Sequence, residues 1–175
     1  MDDLKGMAAH AARRVERLKV SEPVDELRAR PLYARAPRPF EPALEGAVAD
    51  LRFADPERGL LVAGGGVSAA ALAAAAVDAM REGAAGLAVW TERNFHAGDY
   101  PHLDAVRAAC PDAPIVMMDY VVDPWQVERA RAGGADAVLL IPELLGPFFE
   151  RLRAACRALD LAAVAWDDDG PRLLP

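Results

Sequence analysis

Three side chains with acid–base chemistry stand at the ends of apolar runs. Glu92 and His96 follow residues 86–91, and Asp119 ends residues 114–119. If both runs are parallel strands, their carboxyl ends meet at the edge of the sheet where barrel enzymes carry out chemistry. Two carboxylates and an imidazole could form an acid–base set or an oxygen-rich metal site there. Such positions also hold helix caps and solvated carboxylates. We favour this second interpretation, keep the three residues as candidates only, and predict no metal site.

A glycine-rich segment, Gly64-Gly65-Gly66-Val67-Ser68-Ala69, follows a predicted strand and opens a predicted helix. It matches the pattern G-x-G-x-x-[GA], in which backbone N–H groups and the positive end of a helix hold a pyrophosphate. Gly64, Gly65, Gly66 and Ser68 are therefore candidate ligand-binding residues of a nucleotide-binding module. A sequence rich in glycine and alanine matches this pattern easily, so we favour a loop without such a role.

The composition disfavours several classes of protein. The chain has 175 residues, enough for one domain with a sizeable core. Its formal net charge of −7 disfavours nucleic-acid and anionic-membrane binders. The only lysines are Lys5 and Lys19, and arginine, which supplies all the other Lys/Arg charges, cannot act as a tunable acid. The N-terminus lacks the apolar run of a signal peptide, and no segment reaches the about 18 apolar residues of a membrane span. We therefore expect a cytoplasmic protein, and no cofactor is predicted.

Hydrophobic periodicity predicts an α/β fold of parallel βα units, arranged as a partial TIM-barrel-like sheet of about five strands. Residues 1–58 are predicted to form an N-terminal helical leader that adds no strand, with a helix over residues 1–20 and a short helix over residues 40–50. Residues 59–175 are predicted to form the partial barrel. The predicted strands are residues 59–63, 86–91, 114–119, 135–141 and 161–166, and the predicted helices between them are residues 69–82, 102–109, 124–132 and 142–159, the last broken near Gly146-Pro147.

A series of motifs in residues 38–145 resembles the indole-3-glycerol phosphate synthase family in order and spacing. The motifs are Arg38-Pro-Phe-Glu-Pro-Ala-Leu44, Gly83-Ala84, Ala88-Val-Trp-Thr-Glu92, Asn94-Phe-His-Ala-Gly98, Pro114-Ile-Val-Met-Met-Asp-Tyr-Val-Val-Asp123 with Gln126, and Arg131-Ala-Gly-Gly-Ala-Asp-Ala-Val-Leu-Leu-Ile141. The resemblance implies a (βα)8 barrel with an extra N-terminal helical segment. It also implies a decarboxylating ring closure in tryptophan synthesis, carried out by lysine acids and glutamate bases at the strand tips.

These catalytic positions do not carry over. When the family motif E-I-K-x-x-S is aligned on Ser68, its Glu falls on Ala63 and its Lys on Gly65. The lysine of strand three falls on Met118, and the Glu of strand five falls on Ala165. Ring closure needs a group of tunable pKa at the reacting atom, which these residues cannot supply. The resemblance therefore predicts a catalytically degenerate member with a binding or assembly role.

Two other functions remain open from the sequence. One is a lyase-type enzyme with altered chemistry that uses Asp119, Glu92 and His96; the other is the nucleotide-binding module described above. Five strands cannot close an eight-stranded barrel, and Trp166 lies on a last strand without a visible neighbour. Because an open sheet edge exposes unpaired backbone, we expect a homodimer or a partner chain that completes the barrel. The expected ligand is a phosphorylated or aromatic small molecule.

Overall fold

The computed structural model describes residues 2–61, 67–167 and 170–174, of which residues 2, 3, 166, 167, 170 and 171 are described by their backbone only. The helices are α1 (Asp2–Ser21), α2 (Val24–Arg28), α3 (Ala69–Arg81), α4 (Tyr100–Ala109), α5 (Pro124–Ala132), α6 (Pro142–Leu145) and α7 (Phe149–Ala158). Short 3-10 helices cover Pro31–Ala34, Glu41–Glu45 and Gly146–Phe148. The strands are β1 (Val48–Leu51), β2 (Ala54–Asp55), β3 (Gly59–Leu60), β4 (Gly86–Trp90), β5 (Ile115–Met118), β6 (Ala137–Leu139), β7 (Ala162–Asp167) and β8 (Gly170–Leu173).

A six-stranded sheet organises the chain in the order β1-β4-β5-β6-β7-β8. The first five strands are parallel, and each is joined to the next through a helix, as parallel strands require. The sheet curls as part of a barrel, with helices on its convex side and α1 at the N-terminus. This confirms the predicted α/β class, the partial TIM-barrel-like sheet and the helical leader.

The first strand of the sheet is not the one that the sequence predicts. Of the predicted strand over residues 59–63, the structure describes residues 59–61, and within them Gly59–Leu60 pairs antiparallel with Ala54–Asp55 outside the main sheet. The first parallel strand is Val48–Leu51, which pairs with β4 and lies inside the segment predicted to add no strand. The apolar pattern was misleading here, because Leu60 is 68% exposed while β1 carries the acidic Asp50.

The two faces of the sheet carry different layers of core. Along β4 and β5, side chains alternate between the helix-covered outer face and the inner face of the curl. The outer layer includes Leu87, Val89, Ile115, Met117 and Val138. The inner layer includes Ala88, Val116, Met118, Leu139 and Val164, together with Phe40 and Ala43 of the leader. The leader therefore fills the interior of the curl with its own side chains.

Gly86 lets the leader approach this closely. A Cβ atom at residue 86 would lie 2.9 Å from Cβ of Ala43 and 3.7 Å from Cε2 of Phe40. The first distance is shorter than any ordinary carbon contact, so a side chain at residue 86 would push the leader out of the curl.

The last parallel strand has a neighbour after all. Antiparallel pairing joins β7 to β8 through Val164 with Leu173 and Asp167 with Gly170, which corrects the expectation that β7 forms an unpaired edge. The two residues between these strands, 168 and 169, lie outside the described residues. The outer strand β8 carries Pro171, which has no N–H to offer and suits an edge position.

Polar contacts also join the leader to Asp136, the residue that precedes β6. Asp136 is fully buried and accepts hydrogen bonds from the side chains of Arg35 (2.7 Å) and Arg107 (2.7 Å) and from the backbone N–H groups of Arg38 and Ile115. A carboxylate has about four acceptor positions, so Asp136 is saturated. In the described part of the chain, no helix has both the length and the apolar character needed to cross a membrane.

Candidate functional site

A cavity of about 350 Å³ opens at the carboxyl ends of the strands, on the inner side of the curl. Its walls come from strand ends and from the first turns of α1. They consist of Leu4, Asp50, Arg52, Trp90, Met118, Tyr120, Leu139 and Ile141. Six of these eight side chains are apolar or aromatic, and two are charged, so the cavity combines an apolar wall with one polar corner.

The polar corner is an ion pair between residues two apart in sequence. Asp50 and Arg52 point to the same side because side chains alternate along extended backbone. Oδ2 of Asp50 lies 3.1 Å from Nε of Arg52, and Nη1 of Arg52 lies 2.8 Å from Oδ2 of Asp55. Burial raises the pKa of Asp50 above its ordinary value, although the charge of Arg52 opposes this shift. Asp50 is therefore the titratable carboxyl group of this cavity.

Trp90 joins the polar corner to the aromatic wall. Its indole Nε1–H donates a 2.8 Å hydrogen bond to Oδ1 of Asp50. Its ring stacks on His96, with centroids 3.5 Å apart and planes inclined by 14°. The ring of Tyr120 lies 6.5 Å from that of Trp90 at an angle of 62°. A flat ligand in the cavity would meet ring edges and faces that the protein already holds in place.

Glu92 organises the loop that follows β4. Its carboxylate accepts hydrogen bonds from the backbone N–H groups of Asn94 (2.7 Å), Phe95 (2.7 Å) and His96 (3.1 Å), and lies 3.3 Å from Nδ1 of His96. Burial works to raise its pKa, but these hydrogen bonds prevail and hold the pKa of Glu92 below its ordinary value. Glu92 is thus an ionised loop anchor, and neither it nor His96 lines the cavity.

Asp119 lies on the opposite side of its strand from Met118. It is almost completely buried, accepts a 2.9 Å hydrogen bond from the hydroxyl of Thr91, and lies 3.7 Å from Nη1 of Arg14. Burial raises the pKa of Asp119, and the charge of Arg14 opposes the shift. Asp119 does not line the cavity. The structure therefore brings Glu92 and His96 together but separates all three predicted candidates from the cavity.

The glycine-rich candidate site is described only in part. Gly64, Gly65 and Gly66 lie outside the described residues, as do Val62 and Ala63. Ser68 caps α3, with Oγ accepting a 3.2 Å hydrogen bond from the N–H of Ala71. Its role in ligand binding stays a prediction. Within the described residues, no three His, Cys, Asp or Glu side chains are grouped so that they could hold a metal ion.

A parallel βα sheet with a helical leader and a cavity at its strand ends defines the class of TIM-barrel-like proteins. The family model for indole-3-glycerol phosphate synthase matches residues 4–165. Since this match covers most of the chain, the chain belongs to the indole-3-glycerol phosphate synthase family, as the sequence motifs predict.

Proteins of this name from distant organisms are similar to the chain. The one from Roseiflexus castenholzii is 34% identical over 148 residues, which cover 79% of this chain and 53% of that protein. The one from Aromatoleum aromaticum is 35% identical over 163 residues, covering 88% and 60%. The chloroplastic protein of Arabidopsis thaliana is 34% identical over 160 residues, covering 86% and 39%. The chain spans about half the length of these curated relatives.

The observed first strand changes the comparison with the family motifs. E-I-K-x-x-S belongs to the first strand, and that strand is β1, so its Glu, Lys and Ser correspond to Asp50, Arg52 and Asp55. The alignment to Ala63 and Gly65 took residues 59–63 as the first parallel strand, whereas the parallel neighbour of β4 in the described sheet is β1. Asp50 and Arg52 were thus missed by sequence reasoning, although the segment Asp50-Leu51-Arg52 already carried the acid-apolar-base spacing of the motif.

Two further positions can be placed by strand alternation. Met118 points into the cavity, which supports its alignment with the lysine of strand three. Ala165 lies on the opposite face of β7 from Val164, an inner-layer residue. Ala165 therefore does not point into the interior of the curl.

Proposed function

We propose that this chain binds a small aromatic molecule in the strand-end cavity and does not carry out the ring closure after which its family is named. The observation that carries this proposal is the side chain of Met118. It lies in the cavity at the position that the family resemblance gives to a lysine, and a thioether can neither donate nor accept the required proton.

The remaining polar groups of the cavity do not replace this lysine. A guanidinium group cannot serve as a tunable acid or base, so Arg52 does not take over the role of the lysine. Asp50 is a carboxyl group with a raised pKa, but ring closure requires both a proton donor and a base. Loss of one acid–base group typically costs about 10²–10⁴-fold in rate. The chemistry that remains is binding through the rings of Trp90 and Tyr120.

A different catalytic chemistry through Asp119, Glu92 and His96 has less support. None of these three groups lines the cavity. Asp119 accepts from Thr91, Glu92 accepts from three backbone N–H groups, and the ring of His96 is stacked on that of Trp90. A general acid or base must reach the substrate proton directly or through one water molecule. The geometry therefore favours structural roles for these three residues.

Two measurements test the proposal. First, indole-glycerol phosphate formation is assayed with the chain and with Met118→Lys; the chain is expected to show no turnover. Second, indole is titrated while tryptophan fluorescence is recorded, and a saturable change is expected. Trp90→Phe is expected to lose most of this change, because it removes the tryptophan that lines the cavity and leaves only the emission of Trp125 and Trp166. Turnover by the unmodified chain would overturn the loss of catalysis, and the absence of any saturable response would overturn the binding role.

A further inference from the structure

The polar corner of the cavity presents a carboxylate and a guanidinium side by side. Asp50 uses one oxygen for the indole N–H of Trp90 and the other for Nε of Arg52. An ionised carboxylate has about four acceptor positions, so acceptor capacity remains. Asp50 can therefore accept from a ligand N–H group without losing either protein partner.

Arg52 likewise keeps donors for a ligand. Its contacts with Asp50 and Asp55 involve Nε and Nη1, whereas a guanidinium carries five N–H donors. Nη2 donates no hydrogen bond to a residue in the described ranges. The side chain is 27% exposed and lines the cavity, so a ligand carboxylate can reach it.

The local charge balance selects among ligands. Two carboxylates, Asp50 and Asp55, face one guanidinium, Arg52, so the corner carries one net negative charge when all three are ionised. A ligand with only a carboxylate would meet this negative charge, and a ligand with only an ammonium would leave the Arg52 donors unused. A ligand that carries both groups on one carbon atom is neutral overall and matches both partners.

The apolar wall defines the rest of the ligand. Leu4, Met118, Leu139 and Ile141 line the cavity together with the rings of Trp90 and Tyr120, so an apolar ligand side chain placed among them would be removed from water. We infer that the cavity binds a zwitterionic α-amino acid with a large apolar or aromatic side chain, its ammonium group on Asp50 and its carboxylate on Arg52. This inference rests on the binding role proposed for the same cavity.

Three ligands that differ by one group test the inference on the unmodified chain. L-phenylalanine, phenethylamine and 3-phenylpropionate share the ring and differ in their charged groups. In isothermal titration calorimetry at pH 7, L-phenylalanine is expected to bind most tightly and phenethylamine about tenfold more weakly, a difference of about 1.4 kcal/mol. 3-Phenylpropionate is expected to bind least. Binding of 3-phenylpropionate as tight as that of L-phenylalanine would overturn the inference.

Indole separates this inference from the proposed function. If indole binds in the cavity and L-phenylalanine does not, the aromatic binding role stands and the amino-acid inference is wrong. If neither compound binds, both are wrong.

Charge variants locate the two ligand groups. Arg52→Gln is expected to weaken the binding of L-phenylalanine until its affinity equals that of phenethylamine. The affinity for phenethylamine itself is expected to stay unchanged. Arg58→Gln removes an exposed arginine nearby and is the matched control, with no change expected for any ligand. Asp50→Asn keeps an acceptor for Trp90 and is expected to abolish the preference for phenethylamine over 3-phenylpropionate. Near-UV circular dichroism identifies a variant that fails to fold. If a variant does not fold, the three-ligand series on the unmodified chain tests the inference by itself.

Discussion

The ring of His96 stacks on that of Trp90, with centroids 3.5 Å apart, so a loop residue holds one wall of the cavity. His96→Ala removes this support and opens space beside the half-buried ring of Trp90. We expect a loss of about 1–3 kcal/mol in the free energy of unfolding and a shift of the tryptophan emission to longer wavelength. His10→Ala is the control, because its exposed ring only meets Phe95 edge-on at 6.1 Å. An unchanged emission spectrum in His96→Ala would contradict this prediction.

Glu92 is expected to stabilise the fold in a pH-dependent way. Its folded-state pKa lies below the ordinary value, so its ionised form stabilises the protein at neutral pH. This contribution should disappear as the pH falls through the folded-state pKa, below about 4.3, the ordinary pKa of Glu. In urea unfolding at pH 7, Glu92→Gln should lose about 2–3 kcal/mol, and the difference from the unmodified chain should shrink toward pH 3.

The exposed Glu57 provides the comparison for Glu92. Glu57→Gln should change the free energy of unfolding by less than about 0.5 kcal/mol at any of these pH values. A deficit of Glu92→Gln that stays constant between pH 7 and pH 3 would show that its charge is not the source of the effect.

Asp136 is expected to be the most sensitive carboxylate of the chain. Asp136→Asn leaves Arg107, which is 2% exposed, without its buried counter-charge, and breaking such a pair typically costs about 3–5 kcal/mol. Asp112→Asn is the matched control. Asp112 also pairs with an arginine, Arg38, but its side chain is 92% exposed, so the expected change is within about 1 kcal/mol. Equal effects of the two substitutions in urea unfolding would contradict the assigned role of burial.

Gly98 is expected to tolerate no side chain. A Cβ at this position would lie 2.7 Å from the carbonyl carbon of Trp90 and 2.9 Å from the backbone oxygen of Glu92. Gly98→Ala must therefore displace the loop from the strand end, at a cost of about 2–4 kcal/mol. Gly6→Ala is the control: no atom lies within 4 Å of its added Cβ, and the change should stabilise α1 by about 0.5–1 kcal/mol. The midpoint temperatures of thermal unfolding of Gly98→Ala and Gly6→Ala, each compared with the unmodified chain, test these two expectations.

The sequence predicts most of the elements whose signals are local. Asp123 and Pro124 mark the start of α5, and the structure shows both the Asp123 side-chain cap and Pro124 at the first helical position. Strands β4, β5 and β6 are continuous apolar runs and were predicted within two residues of their observed ends. The break near Gly146-Pro147 is confirmed, because a 3-10 helix separates α6 from α7 there.

What the sequence could not predict depends on distant partners. Strand β1 is four residues long with an acid in its third position, and Asp50 is stabilised by Trp90, 40 residues away. Its hydrophobic pattern does not distinguish such a strand from a loop, and only the spacing of the family motif over residues 50–52 could have indicated it. The position of Asp119 was easier to predict, since strand alternation places its side chain on the opposite side of the strand from Met118. The expected dimer or partner chain, and a role for the glycine-rich segment, stay predictions.

The packing of Phe40 and Ala43 inside the curl has a consequence for the order in which the protein folds. A ribosome makes the leader first, yet Arg35 finds its acceptor on Asp136, 101 residues later. Closing so long a loop is slow compared with forming local helices. The apolar side chains of the leader therefore stay unburied while β4, β5 and β6 are synthesised. The nascent chain is therefore most exposed to aggregation and to chaperones before residue 136 is synthesised, and the interior of the curl is completed only after that point.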